Sequence, residues 1–132
     1  MEQLKKVTGM KAKRRYPYRI SIGERSINFT VASTVKNVQE AQSLDVFEDG
    51  NGKLAVEFYP DRRGEFNVNG TPRISNGGSV GVTAMAWPLI HYMHHLLEQC
   101  KGKPFDKNDP LDERQFLATG IDETGRAVFE VK

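Results

Sequence analysis

The stretch from Gly77 to Cys100 reads GGSVGVTAMAWPLIHYMHHLLEQC, and a change of period within it decides the fold. Val80 and Val82 alternate with smaller or polar residues, which is typical of a strand. From residue 89 onward the apolar residues follow the i, i+3, i+4, i+7 spacing of one helical face. These residues are Leu89, Ile90, Met93, Leu96, Leu97 and Cys100. The pattern predicts a strand followed by an amphipathic helix over about 87–100.

Flanking residues indicate where this helix begins and ends. Thr83 is predicted to be the N-cap, because its hydroxyl can accept a hydrogen bond from an unpaired N–H of the next turn. Pro88 has no N–H to donate and fits the first turn. Gly102 is expected as the C-cap, with Pro104 as a stop. A helix with one apolar face needs a sheet to pack against, and most of the preceding chain is predicted to form it.

Alternating apolar residues predict strands on both sides of the helix. A first hairpin covers 18–31, a second covers 43–59 around the turn EDGNGK, and a further strand covers 66–68. A last hairpin over 116–131 follows the helix, and the sequence leaves open whether it extends the sheet edge or acts as a dimerisation arm. The predicted fold class is therefore α+β, an antiparallel sheet backed by one amphipathic helix plus a C-terminal β-hairpin.

Length and composition predict one soluble domain. The chain has 132 residues, of which 38% are hydrophobic and 27% are charged. No apolar run approaches the roughly 20 residues of a membrane helix, and the N-terminus lacks the apolar segment of a secretory signal. Cys100 is the single cysteine, so it cannot form an internal disulfide. This agrees with an expected location in the reducing cytoplasm.

Charge is unevenly distributed, although the net charge is only +2. Residues 1–25 contain eight basic and two acidic residues, whereas the remainder contains eleven basic and fifteen acidic residues. We therefore predict a flexible basic arm over 1–15 and a single α+β domain over 16–132, with a core at 16–101 and a hairpin extension at 102–132. Such an arm suggests an anionic partner, most simply nucleic acid. The alternative is a solubilising tail.

The sequence contains no recognisable catalytic grouping. His91 and His95 are one helical turn apart and could share a zinc ion with Glu98, but no HExxH pattern or second cysteine supports the site. A solvated helix face is the preferred interpretation. The glycine-rich stretch 70–78 lacks the spacing of a phosphate-binding loop. We predict a protein that is not an enzyme and that has no metal or other cofactor.

Four basic residues between Lys11 and Arg15 lead directly into Tyr16, Tyr18 and Arg19. Basic side chains can neutralise phosphates while aromatic rings stack on bases, which is the usual combination for single strands. Further basic residues at turns and strand ends could extend this track. The predicted nucleic-acid-binding residues are Lys11, Lys13, Arg14, Arg15, Tyr16, Tyr18, Arg19, Arg25, Lys53, Arg62, Arg63 and Arg73.

Three segments resemble successive parts of the single-stranded-DNA-binding transcriptional coactivators of the positive cofactor four type, which include bacterial and phage relatives. The segments are RISIGERSINFTVAS (19–33), LDVFEDGNGKLAVEF (44–58) and GGSVGVTAMAWPLIHYM (77–93). The resemblance implies a curved antiparallel sheet, a homodimer, and nucleic acid bound on the sheet or along its rim. The function that it implies is binding of single-stranded DNA or RNA, as a transcription or replication accessory factor.

A second resemblance competes with the first. SINFTVASTVKN (26–37) followed by SLDVFEDGNGKLAVEFY (43–59) is similar to the AbrB-like swapped-hairpin regulators. It implies an interleaved dimer that binds duplex DNA, as a transcription regulator or antitoxin. This resemblance does not account for the long helix after Gly77, so we rank it second. A third hypothesis is a protein-interaction or assembly module.

Overall fold

The structure is a computed structural model that describes residues 18–50 and 52–131. The predicted arm and five of the predicted contact residues lie outside the described residues; they are Lys11, Lys13, Arg14, Arg15 and Tyr16. The described elements are β1 (Arg19–Ile22), β2 (Ile27–Ala32), a 3₁₀ helix (Val38–Glu40), β3 (Ser43–Glu48), β4 (Lys53–Tyr59), β5 (Phe66–Asn67), β6 (Arg73–Ile74), β7 (Ser79–Ala84), α1 (Trp87–Lys101), a 3₁₀ helix (Leu111–Glu113), β8 (Gln115–Ile121) and β9 (Ala127–Glu130).

The nine strands form one sheet in the order β5-β3-β4-β9-β8-β1-β2-β7-β6. Every neighbouring pair is antiparallel. The predicted α+β class is confirmed, with a curved antiparallel sheet, one helix and a C-terminal hairpin. No helix in the described part of the chain is long and apolar enough to cross a membrane.

The sheet is curled so strongly that its two ends touch. Val68, which follows β5, forms an antiparallel bridge with Ala84 at the end of β7. The Asn69 N–H donates to the Thr83 carbonyl at 2.7 Å. These contacts join opposite ends of the strand order. The result is a half-barrel with a concave inner face and a convex outer face.

The C-terminal hairpin lies in the middle of this sheet. Strand β9 pairs with β4, and β8 pairs with β1, so the hairpin joins the two N-terminal hairpins into one layer. A bulge between Ala118 and Gly120 shifts the register between β8 and β9. The sequence leaves open a place at the sheet edge or in a dimerisation arm, whereas the structure gives the hairpin a central position.

The inward side chains of the strands and the apolar face of α1 form one core. Phe29 and Phe58 meet edge to face there, with ring centroids 6.1 Å apart. The helix contributes buried side chains at the predicted positions, which are Leu89, Ile90, Met93, Leu96 and Leu97. Cys100 is only half-buried, and its surroundings raise the pKa of its thiol because burial disfavours the thiolate.

The helix ends follow the sequence prediction except at the N-cap. Helix α1 ends one residue later than predicted, Pro88 lies in its first turn, and Gly102 closes it with φ 74°. The prediction that Thr83 is the N-cap is wrong. Strand β7 continues through Ala84, and the Thr83 hydroxyl donates to the Asn28 side-chain carbonyl at 2.7 Å. Tertiary pairing with β2 therefore replaces the local cap, and Ala86 occupies the N-cap position.

Candidate nucleic-acid interface

The strand register places a continuous row of outward side chains across the convex face. Each member is the direct pairing partner of the next on the neighbouring strand. The row runs through Lys53, Glu130, Leu117, Arg19, Thr30, Gly81 and Arg73. Three of the predicted contact residues, Lys53, Arg19 and Arg73, therefore belong to one surface although they are far apart in the sequence.

Charge divides this convex face into two halves. Within the described strands, the outward positions of β8, β1, β2, β7 and β6 carry no carboxylate. They are occupied by Arg19, Ser21, Asn28, Thr30, Ala32, Arg73, Ser79, Gly81, Thr83, Gln115 and Leu117. We call this surface the acid-free face. The outward carboxylates of the sheet, Asp45, Glu57 and Glu130, all lie on β3, β4 and β9.

The other half of the convex face, formed by β3, β4 and β9, is called the acidic half, and its polar side chains bind one another. Arg126 pairs with Glu57 at 3.0 Å, and its guanidinium lies 4.1 Å from the centroid of the Phe47 ring. The Tyr59 hydroxyl donates to Asp45 at 2.9 Å. Burial, together with this bond to a carboxylate, raises the pKa of Tyr59 to about 12. These contacts give the acidic half a structural role and leave it unfavourable for a phosphate chain.

Arg19 and Arg73 supply the positive charge of the acid-free face. Arg19 is half-buried, and its Nε donates to the Ser21 hydroxyl at 3.2 Å. Arg73 is exposed on the short strand β6. Between them, Asn28 and Thr83 are held together by the 2.7 Å hydrogen bond already described. The face therefore combines two cations with hydroxyl and amide groups suited to phosphate and sugar contacts.

Tyr18 lies on the other side of the sheet from Arg19. Successive side chains of a strand point to opposite faces, and Tyr18 lines an apolar pocket of about 400 Å³ with inward residues such as Val31 and Ala127. Its carbonyl accepts a hydrogen bond from the Ala118 N–H at 2.8 Å. The structure thus separates two residues that the sequence analysis grouped as one contact surface.

Three of the remaining predicted contact residues, Lys53, Arg62 and Arg63, lie outside the acid-free face, and the fourth, Arg25, lies at its rim. Arg62 and Arg63 are exposed in the loop after β4, and Arg63 forms an ion pair with Asp61 at 2.8 Å. Hydrogen bonds from Arg63 hold the pKa of the Asp61 carboxyl below its usual range. Lys53 lies directly beside Glu130. Arg25 is exposed in the turn between β1 and β2.

Several residues of the acid-free face were not predicted as contacts. Ser21, Asn28 and Thr30 were not among the predicted contact residues, and Thr83 was predicted only as a cap. The signal that could have found them is the same period of two that located the core, because it also defines which residues share the outer face. Their grouping across strands requires the register, which the sequence pattern does not give.

The helix histidines pack against aromatic rings. The His91 ring lies 5.3 Å from the Trp87 ring, and the His94 ring stacks on Phe105 at 3.9 Å. Within residues 18–50 and 52–131, no three His, Cys, Asp or Glu side chains are grouped to hold a metal ion.

In comparisons with known proteins, no family model, no curated protein and no solved structure matched this chain. The two family resemblances therefore stay predictions, and the fold and the charge of its outer face carry the functional argument.

Proposed function

We propose that this protein binds single-stranded nucleic acid on the acid-free face, with the basic residues that precede β1 adding contacts to the phosphate backbone. The observation that carries this proposal is the division of charge on the convex sheet. A phosphate chain is repelled by carboxylates at close range, and the acid-free face is the half of the sheet without them.

The charge of the rest of the molecule supports this choice of surface. The described residues include twelve basic and sixteen acidic side chains, so that part of the chain has a net charge of −4. A polyanion is therefore repelled by most of the surface and directed to the acid-free face. The sequence places Lys11, Lys13, Arg14 and Arg15 a few residues before β1, which is the second of the five strands of that face.

The curvature of the sheet favours single strands over duplex. Double-stranded DNA is stiff over distances far larger than a small domain, so it would touch a convex face only along a narrow line. A single strand is flexible and can follow the curve, and its unstacked bases can lie against a sheet. We therefore rank binding of single-stranded DNA or RNA above duplex binding of the AbrB-like kind.

The positive cofactor four resemblance adds two further proposals. It suggests a transcription or replication accessory role, and it suggests a homodimer. The oligomeric state is measured directly by light scattering coupled to size-exclusion chromatography. A mass near twice 14.9 kDa supports the dimer, and a mass near 14.9 kDa at micromolar concentration overturns it.

Fluorescence anisotropy with a labelled single-stranded oligonucleotide tests the main proposal. The full chain is compared with a full-length variant in which Lys11, Lys13, Arg14 and Arg15 are replaced by glutamine. A control variant loses the same charge elsewhere, through glutamine at Lys36, Arg63, Lys101 and Lys103, which lie outside the acid-free face.

The first variant is expected to bind several-fold more weakly than the full chain, and the control is expected to lose less affinity. Unlabelled single strand should compete better than unlabelled duplex of the same sequence. Stronger competition by the duplex would favour a duplex-binding regulator. An absence of binding to either at low salt would leave the protein-interaction hypothesis standing.

A further inference from the structure

A cleft of about 540 Å³ opens at the rim of the sheet, next to the acid-free face. It lies between the turn that joins β1 to β2, the first turns of α1, and the loop 105–108. Asn28 of the acid-free face follows Arg25 of the cleft by three residues, and Thr83 precedes Trp87 by four. The cleft therefore continues the acid-free face at the ends of β2 and β7.

Contacts between the three segments fix the shape of the cleft. The His94 Nε2 lies 2.7 Å from the Gly23 carbonyl, which ties the helix to the β1–β2 turn. The His94 ring also stacks on Phe105, with 10° between the ring planes. The Phe105 N–H donates to Glu98 at 3.1 Å. The walls are thus held in place by the protein itself, which lowers the cost of ordering them when a ligand binds.

Trp87 is the most unusual residue in the cleft. Its side chain is 54% exposed, although tryptophan carries a large apolar surface that proteins usually cover. It lies in the first turn of α1, where it is followed at i+4 and i+7 by His91 and His94. The His91 ring is inclined to the indole by 49°. The exposed indole provides a rigid aromatic surface without a role in the core.

Two cations, Arg25 and Lys107, and two carboxylates, Glu24 and Asp106, line the cleft around Trp87. Arg25 is exposed and has no hydrogen-bond or ion-pair partner among the described residues. The other cation, Lys107, forms an exposed ion pair with Glu24 at 3.6 Å. The Asp106 carboxylate accepts the Asn108 N–H at 2.9 Å. Arg25 is left as the group able to pair with a phosphate.

We infer that this cleft is a base-stacking subsite, in which an unpaired nucleobase stacks on Trp87 beside His91 and a neighbouring phosphate pairs with Arg25. The inference rests on the proposed function and extends it, because it names where one base of the strand is held. Stacking of a base on an aromatic side chain tolerates any base identity, so the subsite would bind without strict sequence preference.

Trp87 is the single tryptophan of the chain, so its own fluorescence reports on the subsite. Titration with a single-stranded oligonucleotide is expected to quench the emission at the same concentrations at which anisotropy shows binding. An oligonucleotide of equal length with abasic sites throughout should bind through its phosphates with much weaker quenching.

Substitutions of Trp87 test whether its aromatic ring, rather than its mere presence at the surface, contributes to binding. Trp87→Ala is expected to weaken single-strand binding about fivefold or more, since stacking on one aromatic residue contributes at least that much. Trp87→Phe should retain most of the affinity. Met85→Ala is the matched control, because Met85 is also exposed, at 47%, and lies two residues away without lining the cleft.

The outcomes distinguish the subsite from the proposed function. Binding by anisotropy with unchanged Trp87 emission, together with full affinity of Trp87→Ala, would overturn the subsite and leave the function intact. An absence of binding in both assays would overturn both. A third outcome is that Trp87 emission changes with protein concentration but not with added oligonucleotide. This result would show that Trp87 lies between copies of the chain, and it would also overturn the subsite.

Discussion

Arg19 and Arg73 stand in the same row of outward side chains, connected through Thr30 and Gly81 by the pairing of β1 with β2, β2 with β7 and β7 with β6. Three strand spacings separate them, which corresponds to roughly 14 Å along the sheet. No carboxylate occupies the outward positions between them. Two cations from strands 54 residues apart therefore act on one surface.

Replacing both arginines should weaken single-strand binding. Each lost phosphate contact is expected to reduce the slope of log affinity against log salt by about 0.7. The measurement is the salt dependence of anisotropy for Arg19→Ala/Arg73→Ala beside Lys53→Ala. Lys53 is in the same row but beside Glu130, so its removal should change the slope less. Equal effects of the double variant and the control would count against the acid-free face.

A second prediction concerns the loop after β4. The buried Ser43 hydroxyl donates to the Asp61 carbonyl at 2.7 Å and accepts the Gly64 N–H at 2.8 Å. Ser43→Ala leaves both backbone groups without this partner and should lower the free energy of unfolding by about 1–3 kcal/mol. Urea denaturation measures the loss.

The matched control for that substitution is Ser75→Ala. Ser75 is exposed, and its hydroxyl lies 2.8 Å from the Ser79 hydroxyl, so the change in stability should stay within about 0.5 kcal/mol. If both variants lost the same stability, the burial of Ser43 would not be the reason.

The third prediction is a pH dependence at the β8–β9 turn. The Arg126 N–H and the Thr124 hydroxyl donate to the Asp122 carboxylate at 2.9 and 2.7 Å, and these bonds hold its pKa below the usual value. A carboxyl whose pKa is lowered by folding stabilises the protein above its unfolded pKa of about 3.9. That contribution is lost as the pH falls through the lower, folded pKa.

Asp122→Asn should therefore lower stability at neutral pH, and the difference from the natural chain should shrink in acid below about pH 4. Denaturation midpoints at several pH values measure this trend. Glu123→Gln, at an exposed neighbouring residue, serves as the control and should leave the acid dependence nearly unchanged. A constant difference between Asp122→Asn and the natural chain across the whole range would contradict the assignment.

Local patterns were sufficient to predict α1 and every strand of the described fold except β6. Period-two alternation located the strands of three hairpins, and the spacing from Leu89 to Leu97 located the helix within one residue at its end. These signals succeed because each depends on neighbours in the chain. Thr83 failed as a predicted cap because a hydrogen bond to Asn28, 55 residues away, decides its conformation.

The candidate site was less accessible to sequence reasoning. The central position of the C-terminal hairpin depends on pairings of β8 with β1 and β9 with β4, and no local pattern encodes them. The period-two alternation already assigns Tyr18 and Arg19 to opposite faces of the sheet. The sequence alone was therefore enough to exclude a single contact surface that contains both residues. Trp87 could also have been found, since the i, i+4 and i+7 spacing places Trp87, His91 and His94 on one side of the helix.

The most direct test of the account is the salt dependence of the affinity of the full chain for a labelled single-stranded oligonucleotide. If the four cations at 11–15 and both arginines of the acid-free face contact phosphates, log affinity should fall with log salt at a slope of roughly −4. A slope near zero, or no binding at low salt, would contradict nucleic-acid binding by this face.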